Sequence, residues 1–566
     1  MSSSHYVPDN PLIVQSDQTV LVEVASPRYP EARDSLARFA ELVKSPEHVH
    51  TYRITPLSIW NAAAAGERVE EILSELEEYA KYPVPDHVRV QIRDLASRFG
   101  RLRLRRGDDA LILEADDAPL AAEIAHSRAI APLLGARLGP AAFQVDPLLR
   151  GRLKQALIRL GFPAEDLAGY ADGEALRLRI LETTRGGERF RLREYQADAA
   201  ARFYSRGSER GGSGVVVLPC GAGKTVVGMA CMAELQASTL ILTTSVTAVR
   251  QWKAELLDKT TLLENQIGEY SGAVKEIRPV TIATYQILTY RERSDAEFVH
   301  LEIFDRRNWG LIVYDEVHLL PAPVFQVTAG LQARRRLGLT ATLVREDGRE
   351  DDVFALIGPK KADVPWKVLE SEGWIATASC TEIRVDMPAD LRMPYAVADA
   401  RAKFRIASEN PAKADVVREV LRRHTGEPTL IIGMYVDQVR GLAAELGIPV
   451  LSGATPQHLR DRLYSEFRAG ILPVLAVTKV ANFAVDLPDA SVAVQVSGTF
   501  GSRQEEAQRL GRILRPKADG NQAHFYTLVS RDTVEQEFAL KRQLFLCEQG
   551  YAYRIVDAAL NGRAGE

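Results

Sequence analysis

A strand-like run, Val215–Leu218, leads into Pro219, Cys220, Gly221, Ala222, Gly223, Lys224 and Thr225, residue types suited to holding a phosphate. Glycines let backbone N–H groups turn inward around an anion, and a helix starting there adds the positive end of its dipole. Lys224 would reach the β- and γ-phosphates of a nucleotide, and the Thr225 hydroxyl would ligand Mg²⁺. A full Walker A pattern has glycine where this chain has Leu218. The alternative is a chance glycine loop; the flanking strand and helix-like run favour phosphate. A second apolar run, Leu311–Tyr314, ends in Asp315, Glu316, Val317 and His318. Asp315 can hold the Mg²⁺ shell while Glu316 orients and deprotonates an attacking water. The bland reading is an acidic surface cap, which the phosphate loop upstream disfavours. His318 fits a residue that couples nucleotide state to its neighbours better than a metal ligand. Far downstream, Gln508, Arg512 and Arg515 share one face of a helix at i, i+4 and i+7. Arginines there could cross a cleft to the γ-phosphate, a contribution of about 10³–10⁵ in rate in related chemistry. The alternative is a solvated basic helix face.

These segments need a scaffold that brings strand ends together. Short apolar runs at Val215–Leu218, Thr239–Leu242, Val280–Ala283, Leu311–Tyr314 and Leu337–Leu339 alternate with helix-like stretches. That alternation marks a doubly wound parallel sheet whose sites lie at the carboxyl ends of strands. After about Val364 it begins again, with runs at Thr429–Ile432, Ile448–Leu451, Val474–Val477 and Val492–Val496. The expected fold is therefore α/β: two tandem doubly wound parallel-sheet lobes preceded by smaller α+β domains. The expected boundaries are 1–130, 131–188, 189–364 and 365–566. Near the N-terminus, Thr55 and Pro56 read as a helix cap and first turn. Val69, Ile72, Leu73 and Leu76 follow with amphipathic spacing, and Leu153, Leu157 and Leu160 form another helical face. Arg101–Arg105 alternates like a strand with one basic face, a solvated surface before it is a phosphate contact.

Lys and Arg total 71 against 75 Asp and Glu, a net charge of −4. Binding to nucleic acid through a global basic field or a basic tail is excluded, and any such site must be a local groove. No signal peptide is visible, and no apolar run approaches the roughly 18 residues of a membrane helix. The four cysteines show no C-x-x-C pair and read as buried free thiols in a cytoplasmic protein. His48 and His50 could suggest a metal pair, but without a third ligand a satisfied strand pair is favoured.

The three motifs, in that order across two lobes, resemble superfamily 2 helicases, whose lobes are RecA-like. Further stretches fit. Arg193 and Gln196 lie in a segment resembling the adenine-reading one. Thr340 and Thr342 resemble the segment that couples hydrolysis to DNA, and Arg250 and Trp252 part of a strand-tracking one. Trp252 is either a stacking platform for a base or a core residue. The resemblance is closer still to the xeroderma pigmentosum group B (XPB) repair helicases. Leu337–Asp347, Ile357–Lys360, Gly501–Ala507, Gln549–Tyr551 and Ser45–Tyr52 all read like that family.

The resemblance implies a strand-separating role for Arg345, Glu346 and Asp347, whose bland reading is a salt-bridged polar loop. It places a damage-recognition domain at the middle unit and a basic thumb in the second lobe. Only a short thumb candidate is visible, about 387–411, with Arg392, Arg401, Lys403 and Arg405. Ala481 and Asn482 stand where many relatives have glycine and an acid; Asp486 remains available. The implied activity is that of an ATP- and Mg²⁺-dependent 3′→5′ DNA helicase or duplex translocase in nucleotide excision repair. Its implied substrate is single-stranded or duplex DNA of any sequence, in a stand-alone, bacterial-like, nucleoid-associated form. The implied protein partner is a nuclease or another repair protein. The rival readings are an RNA helicase and a non-hydrolysing ATP-gated repair scaffold; no acidic–lysine cluster points to an attached nuclease.

Overall fold

The computed structural model describes residues 6–46, 48–107, 110–219, 221–291, 299–331, 334–341, 350–364, 369, 378–478, 490–498, 523–548 and 551–558. Cys220, Thr342, Arg345, Glu346, Asp347, Asp486, Gln508, Arg512 and Arg515 therefore lie outside the described residues.

The first α/β lobe is built on a seven-stranded sheet. Its strands, in spatial order, are Ile267–Tyr270, Val280–Thr284, Thr239–Thr243, Leu311–Asp315, Arg335–Thr340, Ser213–Val217 and Lys360–Asp363. Every pairing is parallel. The inner strands are apolar on both faces because helices cover both sides, so they read as continuous runs rather than alternating ones. The second lobe repeats the plan with seven parallel strands: Val450–Leu451, Val474–Thr478, Thr429–Gly433, Val492–Gln495, Ala523–Ser530, Ala378–Val385 and Ala552–Asp557. The expected fold class is present.

Ahead of the lobes stand two small α+β units. The first carries a four-stranded antiparallel sheet of Leu12–Val14, Thr19–Glu23, Val49–Arg53 and Glu41–Lys44. Its helix Pro56–Ala65 starts as the sequence predicts, with Thr55 Oγ1 accepting from the Ser58 N–H at 3.0 Å, and ends at Gly66 with φ 96°. Ile72, Leu73 and Leu76 of the next helix face the core. His50 is buried, with Nδ1 2.9 Å from the Tyr29 hydroxyl.

The expected division at 130/131 is corrected. Leu102–Arg106 pairs with both Leu111–Ala115 and Ala164–Leu167 in one five-stranded sheet, and Ile130 packs in the same apolar cluster as Leu102 and Leu157. The second unit thus spans about 102–168. Residues 172–188, placed with it by the sequence reading, run along the first lobe instead: Leu176 and Leu178 are buried in that lobe's core. The approach is close, since a Cβ on Gly173 would meet Gly310 Cα at 2.3 Å. On the basic strand, Arg101, Arg103 and Arg105 pair with Asp117, Asp116 and Glu114, which makes it a salt-bridged surface.

The thumb candidate is two helices, Ala389–Val397 and Ala400–Ser408. The first buries none of its residues, and Arg405 of the second pairs with Glu409. Behind them a charge pair is shut inside the second lobe. Lys413 Nζ lies 2.9 Å from both Glu535 carboxylate oxygens, each side chain only 2% exposed. Ser530 N–H also donates to Glu535, so the pair pins two helices to the carboxyl end of strand Ala523–Ser530. Removing one partner strands the other charge in a dry site. Glu535→Ala is expected to lower the stability of the second lobe by about 3–5 kcal/mol in denaturant unfolding. A loss under about 1 kcal/mol would mean that water reaches Lys413.

Candidate active site

The phosphate loop follows from its strand. Leu218 N–H donates to Thr340 O at 2.9 Å, which carries the chain one residue past the sheet edge before it turns. Gly221 and Gly223 then take φ of 82° and 83°, a conformation costly for any residue with a Cβ. At Gly223 a Cβ would also come within 2.6 Å of Gln196 Nε2. Helix Lys224–Leu235 begins on Gly223, which offers no side-chain acceptor to the N–H groups of the first turn. Those donors and the dipole end are the anion-binding features of a helix start. The arrangement fits a nucleotide phosphate.

Strand Leu311–Asp315 is separated from the phosphate-loop strand only by Arg335–Thr340, and all three run parallel. Their carboxyl ends therefore meet on one edge, and Asp315 and Glu316 emerge beside Lys224. Lys224 Nζ lies 2.8 Å from Glu316 Oε1, each side chain 14% exposed. Glu316 holds this position in the left-handed region, at φ 52° and ψ 55°. Such a conformation costs of order 1–3 kcal/mol and persists only where its surroundings enforce it. Burial would raise the Glu316 carboxyl, but Lys224, His318 and the Ala341 N–H together hold it below the usual carboxylate range. Asp315 goes the other way: burial, then the charge of Glu316, push it up. One lysine between two buried carboxylates satisfies the second acid at the expense of the first, and a divalent cation beside Asp315 would relieve that. Thr225, next to Lys224 and partly exposed, completes a donor set suited to Mg²⁺.

The coupling residues also converge. His318 Nδ1 lies 2.7 Å from Thr340 Oγ1, tying the acidic segment to the neighbouring strand end. Gln196 is turned toward the phosphate loop, its amide donating to Ala222 O at 3.0 Å. Arg193 caps the same helix, and its guanidinium donates to the Tyr195 hydroxyl at 3.0 Å. Arg250 is exposed on helix Val246–Lys259. Trp252 on that helix is 2% exposed, which rules out the stacking platform and leaves the core reading. Its Nε1 donates to Asp315 Oδ2 at 2.9 Å.

Known proteins match this chain along its length. The family model described as "Type III restriction enzyme, res subunit" covers residues 189–345. "ERCC3/RAD25/XPB C-terminal helicase" covers 369–564, and "Helicase conserved C-terminal domain" covers 12–139. The DNA 3′-5′ helicase XPB of Kineococcus radiotolerans is 56% identical over 551 residues, 97% of each chain. The chain belongs to the XPB helicase family. The XPB protein of Mycobacterium tuberculosis is also 56% identical, over 97% of this chain and 98% of its own. An XPB of Antonospora locustae, a general transcription and DNA repair factor IIH helicase/translocase subunit, is 35% identical over 97% of this chain and 82% of its own.

Tyr285 of this XPB-family site escaped the sequence reading, and Tyr195, inside the segment resembling the adenine-reading one, was given no role of its own. Tyr195 donates its hydroxyl to Ala222 O at 2.7 Å, and Tyr285 donates to the carbonyl of Asp315 at 3.0 Å. Tyr285 follows directly on the strand Val280–Thr284, so a polar-tipped aromatic at a strand end was the available signal. The tight fit of the loop yields a direct test. Gly223→Ala should weaken nucleotide binding at least tenfold, about 1.4 kcal/mol, in equilibrium titration. Gly272→Ala, where a Cβ meets nothing within 4 Å, should leave it unchanged. Equal affinities for the two variants would contradict the loop geometry.

Proposed function

We propose that the chain is an ATP-dependent 3′→5′ DNA helicase or duplex translocase acting in nucleotide excision repair. The observation that carries this is Lys224 and the Asp315–Glu316 pair meeting at one sheet edge in a chain of this family. Helicases use ATP, and bound ATP with Mg²⁺ supplies the phosphoanhydride whose cleavage drives movement. Lys224 and the first-turn N–H groups would hold the β- and γ-phosphates, and Thr225 and Asp315 would hold Mg²⁺. Glu316 would orient the attacking water and accept its proton. Arg193 and Gln196 are assigned to the adenine end. Gln508, Arg512 and Arg515, with Asp486, are assigned to the second lobe's share of the nucleotide, the arginines countering charge on the γ-phosphate. His318 and Thr340 pass nucleotide state to the neighbouring strand end, with Thr342 beyond them. Arg250 is assigned to a DNA phosphate, and Arg345, Glu346 and Asp347 to strand separation.

Opening duplex DNA costs about 1.4 kcal/mol per base-pair step, so a motor of this kind needs such a supply. Its contacts should be mainly to phosphates, independent of sequence and weakened by salt. Among the described residues no helix is long and apolar enough to cross a membrane. A nucleoid-associated protein that works with a nuclease or another repair protein is the setting this reading favours.

ATP turnover should be measured without nucleic acid and with single-stranded DNA, duplex DNA or RNA, at two salt concentrations. DNA should stimulate it strongly and less so at high salt, while Glu316→Gln binds nucleotide without turning it over. Stimulation by RNA alone would replace the reading with an RNA helicase. No turnover under any condition would replace it with an ATP-gated scaffold.

A further inference from the structure

Trp252 sits where a core tryptophan would have little chemical consequence, except for what its one polar atom touches. An indole offers a single donor, in the plane of a rigid ring, so its direction is fixed once the ring is fixed. Here the ring is buried, only 2% exposed. It packs against Gly228, one turn into the helix that begins at Lys224, so closely that a Cβ there would lie 2.6 Å from Trp252 Cη2. The ring thus bears on the phosphate-binding helix at one end and donates to Asp315 Oδ2 at 2.9 Å at the other. The main chain of Asp315 is held separately, by the Tyr285 hydroxyl on its carbonyl. One aromatic residue from each of two preceding helices, Val246–Lys259 and Tyr285–Leu288, therefore constrains this aspartate, Tyr285 at the backbone and Trp252 at the carboxylate.

A carboxylate at the end of a strand has several staggered rotamers, and a metal ligand is useful in only one of them. We infer that Trp252 is a positioning residue for the metal site: its indole N–H fixes the Asp315 carboxylate in the rotamer from which it meets a divalent cation carried on the nucleotide phosphates. This rests on the reading of Asp315 as the magnesium carboxylate. The phosphate-binding helix and the metal carboxylate are then held in register by one rigid ring, so each is placed relative to the other as well as to the sheet. Trp252 touches neither nucleotide nor metal in this role.

A tryptophan that merely fills the core makes a different prediction from one that positions a ligand. Trp252→Phe keeps most of the apolar ring and deletes the donor. Replacement of Trp252 by benzothienylalanine keeps the full bicyclic shape, with sulfur in place of N–H, and so separates the donor from packing. ADP binding should be measured by calorimetry in EDTA and then with Mn²⁺, and bound Mn²⁺ counted by electron paramagnetic resonance. In EDTA both variants should bind ADP as the unmodified chain does. With Mn²⁺, the metal-dependent tightening and the Mn²⁺ affinity should fall about tenfold or more, the usual effect of losing a partner that orients a metal ligand. A benzothienylalanine variant that keeps full metal-dependent tightening would overturn the proposal. So would variants weakened equally with and without metal. Asp315→Asn separates the two levels: if tightening by Mn²⁺ survives that change, the reading of Asp315 itself fails.

Discussion

The ion pair between Lys224 and Glu316 holds the two halves of the site together, and much of the first lobe can be understood as the means of making it. The partners belong to segments 92 residues apart, and only the parallel pairing of three adjacent strands brings their ends to one edge. Both groups are largely shut off from water, where a lone charge would be costly, so in the absence of nucleotide each serves as the other's counterion. Glu316 accepts a left-handed backbone to do so. A γ-phosphate is a stronger partner for the lysine than one carboxylate. On the proposed reading, a γ-phosphate would draw Lys224 away from Glu316 and leave its carboxylate free to face the attacking water.

The surrounding residues constrain the same edge from several sides. Tyr195 and Gln196 hold the loop carbonyl of Ala222, Tyr285 and Trp252 hold Asp315, and His318 joins Thr340. Further out, the first small unit touches both lobes. Asn61 accepts from the Lys360 N–H on the first lobe's edge strand, and Ser45 O accepts from Gln543 on the second lobe's last long helix. Leu544 and Cys547 of that helix are buried in the same apolar cluster as the antiparallel sheet. Movement of one lobe against the other must be absorbed by these contacts.

The strands that carry the site were legible in the sequence because they are covered on both faces. Thr239–Leu242 and Leu311–Tyr314, for example, extend by only one residue in the structure. Those that escaped notice had physical reasons to. Lys360–Asp363 is an edge strand with little apolar content, specified by backbone pairing to Val215–Val217. Ala378–Val385 is interrupted by Glu382, whose buried carboxylate accepts from Arg384 at 3.2 Å and, from the adjacent strand, from the Tyr553 hydroxyl at 2.7 Å. Such a partner is invisible until the sheet is assembled. The boundary at 130/131 failed for a similar reason, since Leu102–Arg106 joins Ala164–Leu167 across a long interval. At the site, residue types announced Lys224, Asp315 and Glu316. The role of Trp252 depended on which way one N–H points, and nothing in its spacing encodes that.

The most direct test is a crystal structure of the chain with a non-hydrolysable ATP analogue and Mg²⁺, read at Lys224 and Glu316. The expected result is Lys224 Nζ on the phosphates, beyond hydrogen-bonding reach of Glu316, whose carboxylate faces the position of the attacking water. An analogue seated on the loop with the Lys224–Glu316 pair still closed at its present 2.8 Å would contradict it.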